Sequence, residues 1–249
     1  MAALDEKVFL SIIIPAYNEG KRIGATLVEI TKYLSSTSYS WEIVLVDDGS
    51  TDKTAQVARE VIRGERLKVI TNPINRGKGY SVKRGILVSK GEIVLFSDAD
   101  LSTPIEELDK MLPWIDDKGY YVVIGSRALP DSIIEVSQPW YRQTMGKIFN
   151  LFVRAFVLKG FKDTQCGFKC FKREAALKIF NLQRLNRFTF DVEILLIAKR
   201  LGLKIKEVPV RWINSSESKV GIITGSLCML WELLMIRIYD RKGFYPKTI

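Results

Sequence analysis

The chain contains no histidine. That removes histidine-based catalytic triads and most zinc chemistry, which rely on imidazole as base or ligand. Cysteine is scarce: Cys166, Cys170 and Cys228 are an odd number without metal-ligand companions. A reduced, cytosolic setting is expected, with Cys166 and Cys170 reading as small buried residues. No basic block interleaved with aromatics, no zinc spacing and no helix-turn-helix pattern occurs, so nucleic acid is not an expected partner. A long uninterrupted apolar run is missing too. The mostly apolar stretch Ile222 to Ile238 has 17 residues and is broken by Glu232 and Arg237, whereas a membrane span needs about 20. It reads either as an amphipathic helix on a membrane surface or as a core-packing helix. The opening MAALDEKVFLSIIIP enters a strand at once, reading as neither signal peptide nor anchor.

What is present is a chain of 249 residues with 38 Lys and Arg against 28 Asp and Glu, a net charge of +10. That excess points to an anionic partner such as a phosphorylated substrate or an acidic membrane surface. Short apolar runs alternate with helical patterns through the first half. Phe9 to Pro15, Trp41 to Asp47, Leu67 to Thr71, Ile93 to Phe96 and Tyr120 to Ser126 read as strands. Such alternation predicts an α/β domain built on a parallel sheet with right-handed crossovers. In the second half, Gln138 to Leu158, Glu174 to Phe180 and Asp191 to Leu201 read as helices. Cys170-Phe171 and Ile205 to Val210 read as strands.

The pivotal stretch is EIVLFSDADLSTP, Glu92 to Pro104. A buried strand ends at Ser97, and Asp98 and Asp100 follow at the sheet edge where ligands bind in open α/β folds. Carboxylates at i and i+2 can share one hard divalent cation bridging a diphosphate. By itself such a pair is more often an acidic loop, here capping a helix through Thr103, Glu106 and Pro104. Other strands deliver polar loops to the same edge: Tyr17 and Asn18, then Asp47 and Asp48, then Arg127. A base-stacking turn, a ribose- or base-reading acid, a phosphate-side lysine and a metal-binding pair suit a nucleotide-diphosphate donor.

The motifs IIIPAYNE, VDDGSTD, NRGKG and SDAD, in this order, resemble glycosyltransferase family 2, with its GT-A nucleotide-sugar fold. VIGSRA, DTQCGFKCF, FTFDVEILLIA, SESK and MLWELLMIRI extend the resemblance toward the dolichyl-phosphate β-glucosyltransferases. It covers about Phe9 to Asp240. The resemblance implies that Pro15, Ala16, Tyr17, Asn18 and Glu19 hold base and ribose, and that Asp47, with Asp48 beside it, reads the base. Lys78 would approach the phosphates, and Asp98 and Asp100, with Ala99 between them, would bind Mg²⁺ or Mn²⁺. Arg127, Arg142 and Lys219 would bind the acceptor phosphate. Asp163 is expected near the reacting centre with Gln165 beside it, and Asp191 and Glu193 sit in the matching FDVE stretch. Family members often carry a membrane-spanning anchor at one end, and none is legible here.

The resemblance therefore implies a GT-A catalytic domain over residues 1–215, split into a nucleotide-sugar half (1–130) and an acceptor half (131–215). Residues 216–249 would form a basic, amphipathic, membrane-interfacial segment. The implied reaction is inverting, metal-dependent transfer from UDP-glucose to a polyprenyl or dolichyl phosphate on the cytoplasmic side of a membrane. GDP-mannose as donor and a hydroxyl acceptor on a growing glycan are the alternatives within this chemistry; a hydroxyl would demand a base, with Asp163 or Asp191 the candidate. A nucleotide-sugar sensor without turnover is the alternative outside it.

Overall fold

The computed structural model describes residues 7–137, 139–214 and 222–246, apart from the side chains of 142 and 222–226. Strands and helices alternate as β1 (Leu10–Ala16), α1 (Ile23–Ser35), β2 (Trp41–Asp47), α2 (Thr54–Val61), β3 (Leu67–Thr71), α3 (Lys78–Val88) and β4 (Ile93–Ser97). A 3-10 turn (Ile105–Lys110) and α4 (Leu112–Asp116) lead to β5 (Val122–Ser126). Next come β6 (Ile133–Val136) and α5 (Trp140–Phe152), which ends in a π turn (Val153–Val157). The chain continues through β7 (Phe168–Lys172), α6 (Arg173–Leu182), α7 (Phe190–Arg200), β8 (Ile205–Pro209), β9 (Arg211–Ile213) and α8 (Ile222–Arg241).

Seven strands form one sheet in the order β3-β2-β1-β4-β7-β5-β8. Neighbours run parallel except at β7, which is antiparallel to both β4 and β5. The parallel sheet expected from the first half is thus completed by a reversed strand from the second. β7 starts at the edge where β5 ends, so it needs no crossover and must run back. The strand runs are apolar throughout because both faces are covered. Ile13, Val44, Val46 and Phe96 face one helical layer, and Ile12, Ile14, Leu45 and Leu95 face the other. Each such side chain, fully buried, stabilises the fold by about 1.5–3 kcal/mol.

Two local expectations change. The capping box at Thr103 does not form: no side chain caps the 3-10 turn, and its preceding residue is Pro104. Thr103 is buried, with Oγ1 3.7 Å from Cys166 Sγ, and Glu106 is exposed. Asp100 takes the Ser102 N–H at 3.0 Å, tightening the turn before any cap can be placed.

The second concerns α8, for which core packing and surface exposure both hold. Leu233 and Ile236 enter the main core, and Tyr245 beyond the helix donates its hydroxyl to Glu193 at 2.6 Å. Leu227, Trp231, Leu234 and Ile238, spaced by four, three and four along the opposite face, are exposed. Among the described residues, no helix is long and apolar enough to cross a membrane.

Candidate active site

In the strand order, β1 and β4 are neighbours whose following loops diverge, the switch point at which an open α/β sheet forms a crevice. The turn after β1 and the turn after β2 are zipped together. The Asn18 N–H donates to Ser50 Oγ and the Thr51 N–H to Asn18 Oδ1, each at 2.8 Å. The Glu19 N–H donates to Thr54 Oγ1 at 2.8 Å, and the Gly20 N–H to Asp52 at 2.9 Å. Asn18 sits at φ 54°, a left-handed conformation that asparagine tolerates. Pro15 and Ala16 lie in β1 itself, and Tyr17 is 37% exposed. This makes a stiff ledge with a part-exposed aromatic residue on it.

The acid that ends β2 and the acid just after it have different work. Asp47 is buried and accepts the Ser50 N–H at 3.0 Å. Asp48 accepts from Asn72 Nδ2 at 2.6 Å, the Arg76 N–H at 3.0 Å and the Gly77 N–H at 2.7 Å. Both its oxygens are thus occupied in holding the RGKG loop, so Asp48 positions Lys78. Gly77 is needed there: its φ is 102°, and a Cβ would lie 2.4 Å from the Asn186 carbonyl oxygen.

Lys78 opens α3 and places Nζ 2.6 Å from Asp98 Oδ1. Burial opposes its charge, yet Asp98 and Asp191 outweigh that and hold its pKa above the ordinary lysine value. Burial, then the neighbouring Asp98 charge, pushes Asp100 above the usual carboxyl range. Arg22, paired with Glu19, reaches within 3.9 Å of Asp100. Ala99 between the two acids is buried and its carbonyl accepts from Thr26 at 2.7 Å. The acid pair fits a hard divalent cation: it offers anionic oxygens, and one of its members, Asp98, already holds the Lys78 ammonium. Among the described residues no cluster of three or more possible metal ligands occurs.

β7 brings the second group of residues to this edge. Arg127, just past β5, makes a fork with Asp163: Nε to Oδ2 at 2.6 Å and Nη2 to Oδ1 at 3.0 Å. The Arg127 and Gln165 N–H groups add further bonds at 3.1 and 3.0 Å. Burial works against the Asp163 charge, but Arg127 and these bonds overcome it and hold the carboxyl down at about 2. The third guanidinium nitrogen, Nη1, takes no part in the fork. At the end of the same loop, Gly167 accepts the Asp98 N–H at 3.2 Å, and a Cβ on Gly167 would lie 1.9 Å from Asp98.

Beneath the site, Lys169 Nζ is 2.5 Å from Asp191 Oδ1, and both are buried. Burial pushes Asp191 up against the pull of Lys169 and Lys78. Glu193 is structural: it accepts the Arg184 and Leu185 N–H groups at 2.9 and 2.8 Å. Arg142 lies on α5, but its side chain, like the whole of Lys219, falls outside the described residues. Three contributors are not evident from the sequence motifs alone. Lys169 lies within the DTQCGFKCF motif, and a lysine amid the apolar β7 pattern FKCFK is itself a signal. Glu207 of β8, in the alternating run IKEVP, accepts the N–H groups of Lys162 and Asp163 at 3.0 and 2.8 Å. Arg22 carried no pattern at all.

This sheet, with paired acids and a lysine at its switch point, is the GT-A fold of nucleotide-sugar transferases. The crystal structure of mannosyl-3-phosphoglycerate synthase from Rubrobacter xylanophilus shares it with a TM-score of 0.71 at 20% identity, over 95% of this chain and 75% of that one. Glucosyl-3-phosphoglycerate synthase from Mycobacterium tuberculosis, in complex with Mn²⁺, UDP-glucose and phosphoglyceric acid, matches with a TM-score of 0.68 at 20% identity, covering 92% and 79%. The model of glycosyl transferase family 2 matches residues 11–180, and the chain belongs to that family. Dolichyl-phosphate beta-glucosyltransferase of Dictyostelium discoideum is 37% identical over 96% of this chain and 77% of that protein. The proteins of the same name from Saccharomyces cerevisiae and Homo sapiens are each 36% identical, over 97% and 94% of this chain and 78% and 76% of theirs.

Proposed function

We propose that this chain transfers glucose from UDP-glucose, with inversion, to the phosphate of a dolichyl or related polyprenyl phosphate. The relatives bear the name of that activity. The observation that carries the reading is the state of the acids on the acceptor side. A hydroxyl acceptor needs a general base. Asp163 is locked by Arg127 at a pKa of about 2; burial raises the pKa of Asp191, but that same burial, against Lys169, leaves it almost no surface on which to meet an acceptor hydroxyl. A phosphate monoester is already anionic and needs only orientation. Arg127, held rigid by Asp163, offers its outer nitrogen for that purpose, in keeping with arginine's fit to phosphate.

On the donor side, the ledge from Pro15 to Glu19 and Asp47 would receive base and ribose. Asp98 and Asp100 would hold Mg²⁺ or Mn²⁺, which when bound neutralises charge on the departing nucleoside diphosphate. Lys78, positioned by Asp48, adds a second positive charge there. In this reading residues 1–215 form the catalytic unit, 1–130 serving the donor and 131–215 the acceptor. Residues 216–249 bring the enzyme to the cytoplasmic face of a membrane. The exposed α8 stripe supports that docking, and so do Trp140, Ile148, Leu151 and Phe156 on α5 and the π turn.

The test supplies radiolabelled UDP-glucose or GDP-mannose with dolichyl phosphate in detergent, divalent metal present or chelated, and counts the lipid phase. Metal-dependent label from UDP-glucose is expected, and Asp100→Ala is expected to lower the rate about 10²–10³-fold. Label from GDP-mannose instead would replace the donor. Absence of lipid label with either donor would sink the acceptor assignment.

A further inference from the structure

A groove of about 580 Å³ opens where the π turn, the end of α7 and α8 meet. α7 carries Asp191 in its first turn, beneath the donor site, and Lys199 and Arg200 in its last. At 1.5 Å rise per residue the groove lies about 12 Å along the helix from Asp191, outside the site described above. Its lining contains five cations, Arg154, Lys159, Lys199, Arg200 and Arg237, and no acidic side chain among the described residues. Behind it, Asp240 is buried and pairs with Arg200 at 2.6 Å and Arg237 at 3.8 Å. One carboxylate thus fixes two guanidiniums in place and leaves an excess of four positive charges. Like charges held so close repel one another, and an anion relieves that repulsion.

The rim is apolar. Phe156, which lines the groove, is 61% exposed and stacks on Phe152 at 5.9 Å. Leu234 and Ile238 flank Arg237 on α8 and continue into the exposed stripe. Cations at the waterline beside exposed aliphatic and aromatic side chains match a ligand with an anionic head and a hydrocarbon tail.

We propose that this groove binds the phosphate headgroup of an anionic membrane phospholipid, at a site separate from the acceptor phosphate. The inference rests on the membrane docking proposed above and adds to it a lipid preference. Apolar side chains give adhesion to any bilayer; the groove makes that adhesion depend on headgroup charge.

The experiment measures co-sedimentation of the full chain with phosphatidylcholine vesicles, with and without phosphatidylserine. Phosphatidylserine is expected to strengthen binding, and Arg154→Gln and Lys199→Gln each to reduce that gain about fivefold. Both variants should bind pure phosphatidylcholine as the unaltered chain does, keep its thermal midpoint, and turn over a water-soluble short-chain polyprenyl phosphate normally. Equal binding to both vesicles would overturn the groove proposal and leave docking intact. Binding to neither would overturn docking itself. Slow turnover of the soluble acceptor by the two variants would assign the groove to the acceptor path and overturn the proposal. So would displacement from phosphatidylserine vesicles by millimolar inorganic phosphate at constant ionic strength, which would mark an unselective anion site.

Discussion

The donor edge and the α5–α8 surface are made of opposite materials. At the donor edge, carboxylates are buried or half-buried and nearly every one is answered within the chain: Asp47 by Ser50, Asp48 by Asn72 and two backbone N–H groups, Asp163 by Arg127. On the other surface Trp140, Leu151, Phe156 and Trp231 stand 61–78% exposed, and the ring contacts there are with neighbours on the same segment, Phe156 with Phe152 and Trp140 with Tyr141. The first region has its geometry fixed before any ligand arrives, as electrostatic catalysis requires. The second, on the docking proposed above, is completed from outside, by lipid.

The contrast can be broken most strongly at the buried pair under the donor edge. Lys169→Met leaves Asp191 without its nearest cation and is expected to destabilise the fold by about 3–5 kcal/mol, measured by urea unfolding. Lys169→Met combined with Asp191→Leu should recover most of that loss. A single variant as stable as the unaltered chain would show that the pair is not what seals this edge.

A smaller effect is expected from Asp163. Its folded pKa, about 2, lies below the ordinary carboxyl value of 3.8, so the ionised form favours folding. That contribution, about 2 kcal/mol, is fully present above pH ~4 and disappears as the pH falls through ~2. The stability gap between the unaltered chain and Asp163→Asn should therefore narrow over this window. A gap that stays constant would mean that Arg127 is not what depresses the acid.

The smallest effect on folding is expected on the adhesive side. Trp231→Ala should leave the urea midpoint within about 0.5 kcal/mol, while vesicle partitioning falls about tenfold. Loss of stability instead would place Trp231 in packing and erase the division between the two regions.

The donor edge was legible in the sequence because its chemistry is local. Asp98 and Asp100 follow at once on a strand whose apolar run announces it, Lys78 opens the helix after β3, and the sheet edge follows from strand direction alone. What was not legible depends on distant chain returning. The reversal of β7 is decided by where residues 127–167 re-enter the sheet. Lys169 gains its role only when α7 brings Asp191 opposite it, and Glu207 only when β8 pairs beside β5. The capping box at Thr103 had the right letters, but burial against Cys166 drew the hydroxyl inward. The α8 pattern offered two readings because the helix has two apolar faces, which periodicity alone cannot separate.

The reversed strand has a further consequence. β5 and β7 are hydrogen-bonded neighbours, so the excursion from Arg127 to Gly167 leaves and re-enters the sheet at adjacent positions, like a bracket bolted at both feet. Lengthening such a loop costs only about 0.6 kcal/mol per doubling, and β1 to β4 need not shift to accommodate it. If that excursion serves the acceptor, as proposed above, acceptor preference can drift over evolutionary time while the β1 to β4 loops stay constant, provided Arg127 and Asp163 at the two feet keep hold of each other.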